Sequence, residues 1–202
     1  MATQMFTCTG FKEAMDAATE ETINDVKAAM RSAMNKVISS VRTLTSAEIR
    51  KIYNVPKNIL DARLTMFTAR INNLAAELVI GGKSISLSYF GARQFTRNRV
   101  ITRTKGTQRK SAYKFQGVEV EVIKGRRTQL KSAFMQTFKS GHVGILIRKG
   151  KGRYPVNVKA AISIASMFEQ IDINDAIVAK IEADLEAKFM HELEFYLGRG
   201  GQ

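Results

Sequence analysis

An α+β fold is predicted, with a long N-terminal amphipathic helix, a mostly antiparallel twisted sheet bearing basic loops, and a C-terminal amphipathic helix. Two changes of period carry the prediction. Apolar residues recur at steps of three and four from Phe11 to Leu44 and every fourth residue from Ile173 to Leu193, whereas between these segments they alternate at a period of two. The chain has 202 residues, 45% of them apolar and 25% charged, enough to bury one core and too few for a second full domain. The expected organisation is a single domain in three consecutive segments: a helical arm and corner over 1–64, a basic β-rich core over 65–168, and a helix over 169–202 packing on that core.

In the first segment Phe11, Met15, Ala18, Thr22, Val26, Ala29, Ala33, Val37, Val41 and Leu44 form one stripe. A continuous helix over this span would be about 50 Å long, more than a small sheet covers. Met15, Val26, Met30, Val37 and Val41 are therefore candidates for an oligomer seam against other helices, with packing on the chain's own sheet an equal alternative. Ser46 is placed to cap a short second helix carrying Ile49 and Ile52. That helix ends near Asn54, because the residue before Pro56 disfavours helical geometry, and Pro56 opens a further turn toward Leu64.

In the middle, Leu78–Ile80, the Gly81-Gly82 pair and Ser84–Tyr89 read as a hairpin. Val118, Val120 and Val122 alternate with Glu119 and Glu121 in a second strand bounded by Gly117 and Gly125, and Val143–Arg148 form a third. Weaker strands fall near Val100–Arg103 and Ala133–Phe138. Thr96–Lys110 holds six basic residues and little to bury, which predicts a long loop or hairpin tip. Lys149, Lys151 and Arg153 alternate with Gly150 and Gly152 in a second basic turn. In the last segment Ile173, Ile177, Ile181, Leu185, Phe189 and Leu193 make a helical stripe, with Asp172 as its cap and Gly198 at its end. Its acidic residues, Glu182, Asp184, Glu186, Glu192 and Glu194, can pair with the basic middle within or between subunits.

The net charge is +14, and it is unevenly placed. Between Lys83 and Arg153 stand 18 Lys or Arg and only Glu119 and Glu121, so this third of the chain carries +16 and the remainder −2. A field of one sign attracts an anionic partner, either nucleic acid or an acidic protein surface. Candidate contact residues are Arg93, Arg97, Arg99, Arg103, Lys105, Arg109 and Lys110, then Arg126 and Arg127, then Lys149, Lys151 and Arg153. A solvated basic face is the plainer reading of any one of them.

Motifs of chemistry are tested and fail. Gly82-Lys83-Ser84 ends like a phosphate-binding loop, but Glu77 stands where its first glycine belongs. His142 and His191 lack spaced metal-ligating partners, and Cys8 is the only cysteine, which fits a reducing cytoplasm. Glu119 and Glu121 share a strand face about 7 Å apart, as paired catalytic carboxylates can, yet they read better as relief for the surrounding positive charge. Tyr89, Phe90, Phe95, Tyr113 and Phe115 interleave with basic residues, a texture of single-strand binding proteins, although aromatics at strand spacing are usually core. The expectation is a binding or assembly protein rather than an enzyme, with no cofactor and no metal. No apolar run is long enough to span a membrane, and Met1–Gly10 lacks the features of a secretory leader, so a soluble protein is expected.

The run Ser86-Leu87-Ser88-Tyr89-Phe90-Gly91-Ala92-Arg93-Gln94 resembles the minor tail protein Z family of long-tailed phages and prophages. Further matching stretches follow in order: Ala133-Phe134, Gly141-His142-Val143-Gly144 with Arg148, Gly152-Arg153-Tyr154-Pro155-Val156, and Ser163-Ile164 with Met167-Phe168. The Tyr53-Asn54-Val55 corner and the leading helix extend the resemblance over most of the chain. One departure is Ala161-Ile162-Ser163-Ile164-Ala165, which lacks the expected proline-rich turn and should be more helical. The resemblance implies a structural tail completion protein at the head-proximal end of the virion tail, assembled in the host cytoplasm. It implies a ring-like homo-oligomer, sixfold like the tail tube, whose partners are tail tube, terminator and neck proteins and the DNA end. A free nucleic-acid-binding protein is the alternative from the charge alone.

Overall fold

The computed structural model describes residues 8–20, 22–103, 109–150, 152, 154–169 and 173–199, with side chains described outside 96–116, 173, 174, 176 and 199. The elements run α1 (Thr9–Ala17), α2 (Ile23–Ile52), α3 (Lys57–Asp61), β1 (Leu64–Phe67), β2 (Glu77–Ile80), β3 (Ser84–Ser86), β4 (Arg93–Arg103), β5 (Arg109–Ile123), β6 (Arg126–Lys131), β7 (Ala133–Thr137), β8 (Val143–Arg148), β9 (Val156–Ser163), α4 (Ile164–Glu169) and α5 (Ile173–Arg199). The fold is α+β, with every strand pairing antiparallel. Two compact units form, each from separated stretches of chain. The first comprises Met1–Ile49, Leu60–Gly81 and Ala165–Gln202, and the second Arg50–Ile59 and Gly82–Ile164. Their boundaries differ from those of the three consecutive segments, because β1 and β2 join the helices of the first unit.

In the first unit the N-terminal stripe is broken rather than continuous. Ala18 takes an extended conformation (ψ 137°) that ends α1. Thr19 and Thr22 then close a turn, with the Thr19 amide donating to Thr22 Oγ1 at 3.0 Å and the Ile23 amide to the Thr19 carbonyl at 3.0 Å. From there α2 runs 30 residues, about 45 Å at 1.5 Å per residue. The separate helix expected after Ser46 does not form. The Ser46 hydroxyl instead donates to Asp61 Oδ1 at 2.7 Å, and the backbone continues helical through Ile52.

Val26, Met30, Val37 and Val41 are 3–6% exposed, alongside fully buried Ala29, Ala33 and Ile49, while Met15 is half-buried. This side of α2 is closed within the chain, so the side open to another molecule is the opposite one. Helix α5 also contributes to the core through Ile177, Leu185 and Phe189, and Phe11 of α1 meets Phe189 edge-on at 5.8 Å. Polar contacts tie α5 to α2. Lys36 pairs with the buried carboxylate of Glu192, and Lys188 Nζ donates to Ser40 Oγ at 3.3 Å. Asn35 fastens the segment after β1, its amide donating to the Ala69 carbonyl at 3.2 Å and its oxygen accepting from the Ala69 amide at 2.7 Å. The C-terminal helix passes Gly198 to end at Arg199, and Asp172 lies outside the described residues.

The hairpin expected across Gly81-Gly82 is also replaced. β2 pairs with β1 in the register Leu64↔Ile80, and the Gly81 amide extends that ladder to the Arg63 carbonyl at 2.8 Å. β3 pairs with β9 in another sheet, and its strand ends at Ser86, whose hydroxyl caps a 3-10 turn at Leu87–Tyr89 by accepting from the Ser88 amide. Glycine pairs signal a turn but do not choose its partner strand.

The second unit holds two sheets, of order β3-β9-β8-β7 and β4-β5-β6. The chain changes sheet at Ser132, whose φ of 65° bends β6 into β7, and the Met135 amide donates to Gln94 Oε1 at 2.9 Å across the two sheets. Val118, Val120, Ala133, Ile145, Leu146 and Ile85 are at most 4% exposed and Phe90 is fully buried, with Ile145 and Leu146 on opposite faces of β8. The end of α2 enters here: the Asn54 amide donates to Val122 and the Lys124 amide to Ile52, both at 2.9 Å, placing Tyr53 opposite Ile123. Of the loop or hairpin tip expected at Thr96–Lys110, the described residues are the paired arms of a hairpin, their backbone groups satisfied by the antiparallel pairing of β4 with β5. β6 and β9 were not anticipated: their burial patterns are nearly all exposed or half-buried, and β6 has almost no apolar content to show a period. The proline-free segment is strand to Ser163 and helical from Ile164.

Gly117 sits at φ 137° where β5 bulges, and a Cβ there would lie 2.5 Å from the Leu130 carbonyl oxygen of β6. Gly117→Ala should therefore cost about 2–4 kcal/mol of stability, read as a lower urea midpoint. The Glu192 carboxyl is held below its ordinary value first by the hydrogen bond from Lys36, then by one from Ser32, against desolvation. A lowered folded-state pKa stabilises above the unfolded value near 4.3 and is lost as pH falls through the folded value. Thermal midpoints from pH 7 to pH 3 should fall less steeply for Glu192→Gln than for the unsubstituted protein.

Candidate docking surface

Strands β4 and β5 place half of the predicted basic residues on one antiparallel ladder. Arg97 stands opposite Lys114, Arg103 opposite Arg109, and Thr102 opposite Lys110, while Arg93 stands opposite Glu119. Arg99 lies in β4 between two register shifts. Like charges at paired positions of a ladder repel, so this hairpin gains when an anion approaches. Lys105 lies outside the described residues, as do Lys151 and Arg153.

The remaining candidates separate. Arg126 and Arg127 are exposed on β6, but Arg127 pairs with Glu121 at 3.1 Å. Glu121 also accepts from the Gly125 amide at 2.9 Å in the β5–β6 turn, so one carboxylate of the Glu119/Glu121 pair anchors a turn and a guanidinium. Lys149 is exposed just after β8, with its amide donating to the Pro155 carbonyl at 3.0 Å. Arg148 lies over the Phe134 ring, 4.7 Å from its centroid, a cation–π contact.

A feature not read from the sequence is the meeting of two separate stretches in one aromatic cluster. After β7 the Gly141 amide donates to the Phe138 carbonyl and the Phe138 amide to the His142 carbonyl, and Gly141 takes φ 78°. This is a three-residue hairpin loop with glycine at its left-handed position. It sets His142 parallel to Phe138 at 6.3 Å and 6.0 Å from Tyr89. Tyr89 and Phe138 are 37% and 39% exposed, so the rings form a surface platform rather than core. Gly144 makes it possible, because a Cβ there would lie 2.6 Å from the Phe138 ring. The glycine spacing around His142 was the available signal, but nothing in it pointed to Tyr89 as the neighbour. Phe90, adjacent to Tyr89, is fully buried, and its carbonyl accepts from the Glu121 amide at 2.9 Å. Tyr113 and Phe115 have no described side chains.

Among the described residues no group of three or more His, Cys, Asp or Glu is placed to hold a metal ion, and no helix is long and apolar enough to cross a membrane. The half-buried Cys8 thiol is pushed up in pKa by desolvation, the opposite of an activated nucleophile.

The basic paired strands and the exposed aromatic cluster both belong to the second unit. The family model for prophage minor tail protein Z (GPZ) matches residues 9–199, and the chain belongs to that family of phage tail proteins. No curated protein and no solved structure matches it.

Substituting Gly144→Ala should displace Phe138 from His142 without unfolding the sheet. The expected result is loss of ring-current shifts at the His142 imidazole protons in NMR spectra, with backbone amide shifts preserved away from the turn.

Proposed function

We propose that the protein is a tail completion component, acting without catalysis at the head-proximal end of the virion tail. It self-associates into a ring, sixfold like the tail tube, and docks to tail tube, terminator and neck proteins so that a head can join and DNA can pass. Family membership supports the tail role. The observation that carries the docking role is the β4–β5 hairpin, where like charges stand opposite one another on paired strands. That arrangement is unfavourable in isolation and favourable against an acidic surface. Complementary charge would steer and orient the encounter more than it would set affinity.

A second reading is favoured by one specific observation. Tyr89, His142 and Phe138 offer exposed rings in the same unit as the basic strands, and ring stacking beside cations suits unpaired bases. DNA affinity would then fall with salt, with a slope of about −0.9 in log K against log salt for each duplex phosphate contacted and about −0.7 for single strands.

Charge reversal at Arg93, Arg97, Arg103, Arg109, Lys110 and Lys149 separates the readings. In particles assembled with this variant, intact tails should accumulate beside filled heads, unjoined, in electron micrographs. Normal joining would refute the docking role, and loss of salt-dependent DNA binding with normal joining would favour the second reading.

A further inference from the structure

We infer that the face of the β7–β8–β9 sheet shared by Phe134, Leu146 and Val158 is a track for single-stranded nucleic acid, with two base-stacking stations four residues apart. This rests on the second reading of function, and adds to it a second station and the surface that joins the two.

The strand registers define the face. Phe134 stands opposite Leu146 and Leu146 opposite Val158, so the three share one side of the sheet, and Arg148, two residues beyond Leu146, lies on that side too. The other side holds Ala133 and Ile145, which are 2% and 0% exposed. On the first side Phe134 is half-buried, Arg148 is exposed and Val158 is 59% exposed.

Gly144 places the ring cluster on the same face. It lies two residues before Leu146, so a side chain there would point the same way, and a Cβ would lie 2.6 Å from the Phe138 ring. Phe138 therefore covers Gly144 on the side that carries Phe134, with His142 parallel to it and Tyr89 next to His142. The face thus holds two stations of similar make. At one the His142 imidazole accompanies Phe138, and at the other the Arg148 guanidinium lies over Phe134, 4.7 Å from its centroid. Aromatic rings and guanidinium planes are the groups on which unpaired bases stack. Phe134 and Phe138 are about 13 Å apart along the chain at the rise of a strand, so each station takes a different nucleotide.

Charge selects the ligand. None of the residues named on this face is acidic. The unit that contains it, Arg50–Ile59 with Gly82–Ile164, carries 22 Lys or Arg against Glu119 and Glu121 alone, and Glu121 is engaged by Arg127. Lys139 follows Phe138 and Lys149 follows Arg148 in sequence, both exposed, which gives each station an ammonium group for a phosphate. The ligand has to be strongly anionic and also offer flat apolar faces to the rings. An acidic polypeptide meets the first condition and leaves the rings unused. A nucleic-acid duplex meets it as well, but its bases are already stacked on one another. A single strand meets both.

Fluorescence anisotropy of the full chain with a labelled oligothymidylate tests this, with a duplex of equal length and poly-glutamate as competitors. The duplex and poly-glutamate should displace the single strand poorly. Arg148→Lys keeps the charge and loses the planar group, and Phe134→Leu keeps apolar bulk and loses the ring. Each should weaken single-strand binding about fivefold or more and leave the slope of log K against log salt unchanged. Circular dichroism establishes that each variant is folded. As a direct readout, a strand carrying 5-iodouracil should crosslink under ultraviolet light to Phe134 as well as to Tyr89, Phe138 or His142. Single-strand binding indifferent to both substitutions, with crosslinks confined to the Tyr89–Phe138–His142 cluster, overturns the track and leaves the second reading standing. Poly-glutamate or duplex displacing the strand at equal concentration, with no crosslink on this face, overturns both.

Discussion

Strand β5 has to satisfy backbone hydrogen bonds on both flanks over its C-terminal half, from Gly117 to Ile123, and the second unit is arranged around how it does so. One flank pairs with β4 and, where β4 ends, with Ile52–Asn54. The other pairs with β6. The inward residues Val118 and Val120 are buried as a result. The β4–β5 ladder bulges at Gly117, with two residues of β5 facing one of β4, and only glycine can approach Leu130 so closely.

The stretches by which the chain resembles its family serve this same framework. Ser86 caps the 3-10 turn, Phe90 fills the core, Gly91 takes φ 56° beside the Asn54 amide, and Gln94 joins the two sheets. Asn54 itself comes from the corner that pairs with β5. These residues hold strands in register, whereas half of the candidate basic residues are spaced along β4 and β5. Recognising the family from such motifs therefore reports on fold first, and a role in docking has to be argued from the charges they position.

How much could be read from the sequence depended on whether an element buries one clean face. The C-terminal helix was legible because its apolar residues keep a period, and the strand around Val143–Arg148 because Ile145-Leu146-Ile147 is a continuous apolar run; Ile177, Leu185, Phe189, Ile145 and Leu146 become core. The stripe of α2 was legible, but its break at Ala18 was not, since Thr19 and Thr22 serve equally well inside a helix or as a cap. β6 and most of the basic hairpin were illegible as strands because backbone pairing rather than side-chain burial defines them. The partner of β2 was misread because both Gly81-Gly82 and a longer connection back to β1 satisfy the same local pattern. For the candidate surface, the basic residues were visible by composition alone, while the Tyr89–His142 contact required two distant turns to be folded first.

Charge placement bears on how such a molecule can assemble without precipitating on itself. The stretch from Lys83 to Arg153 carries +16, and positions paired across strands stand roughly 5 Å apart, inside the screening length of about 8 Å at physiological salt. Their mutual repulsion is therefore felt, and copies approaching through the basic strands repel.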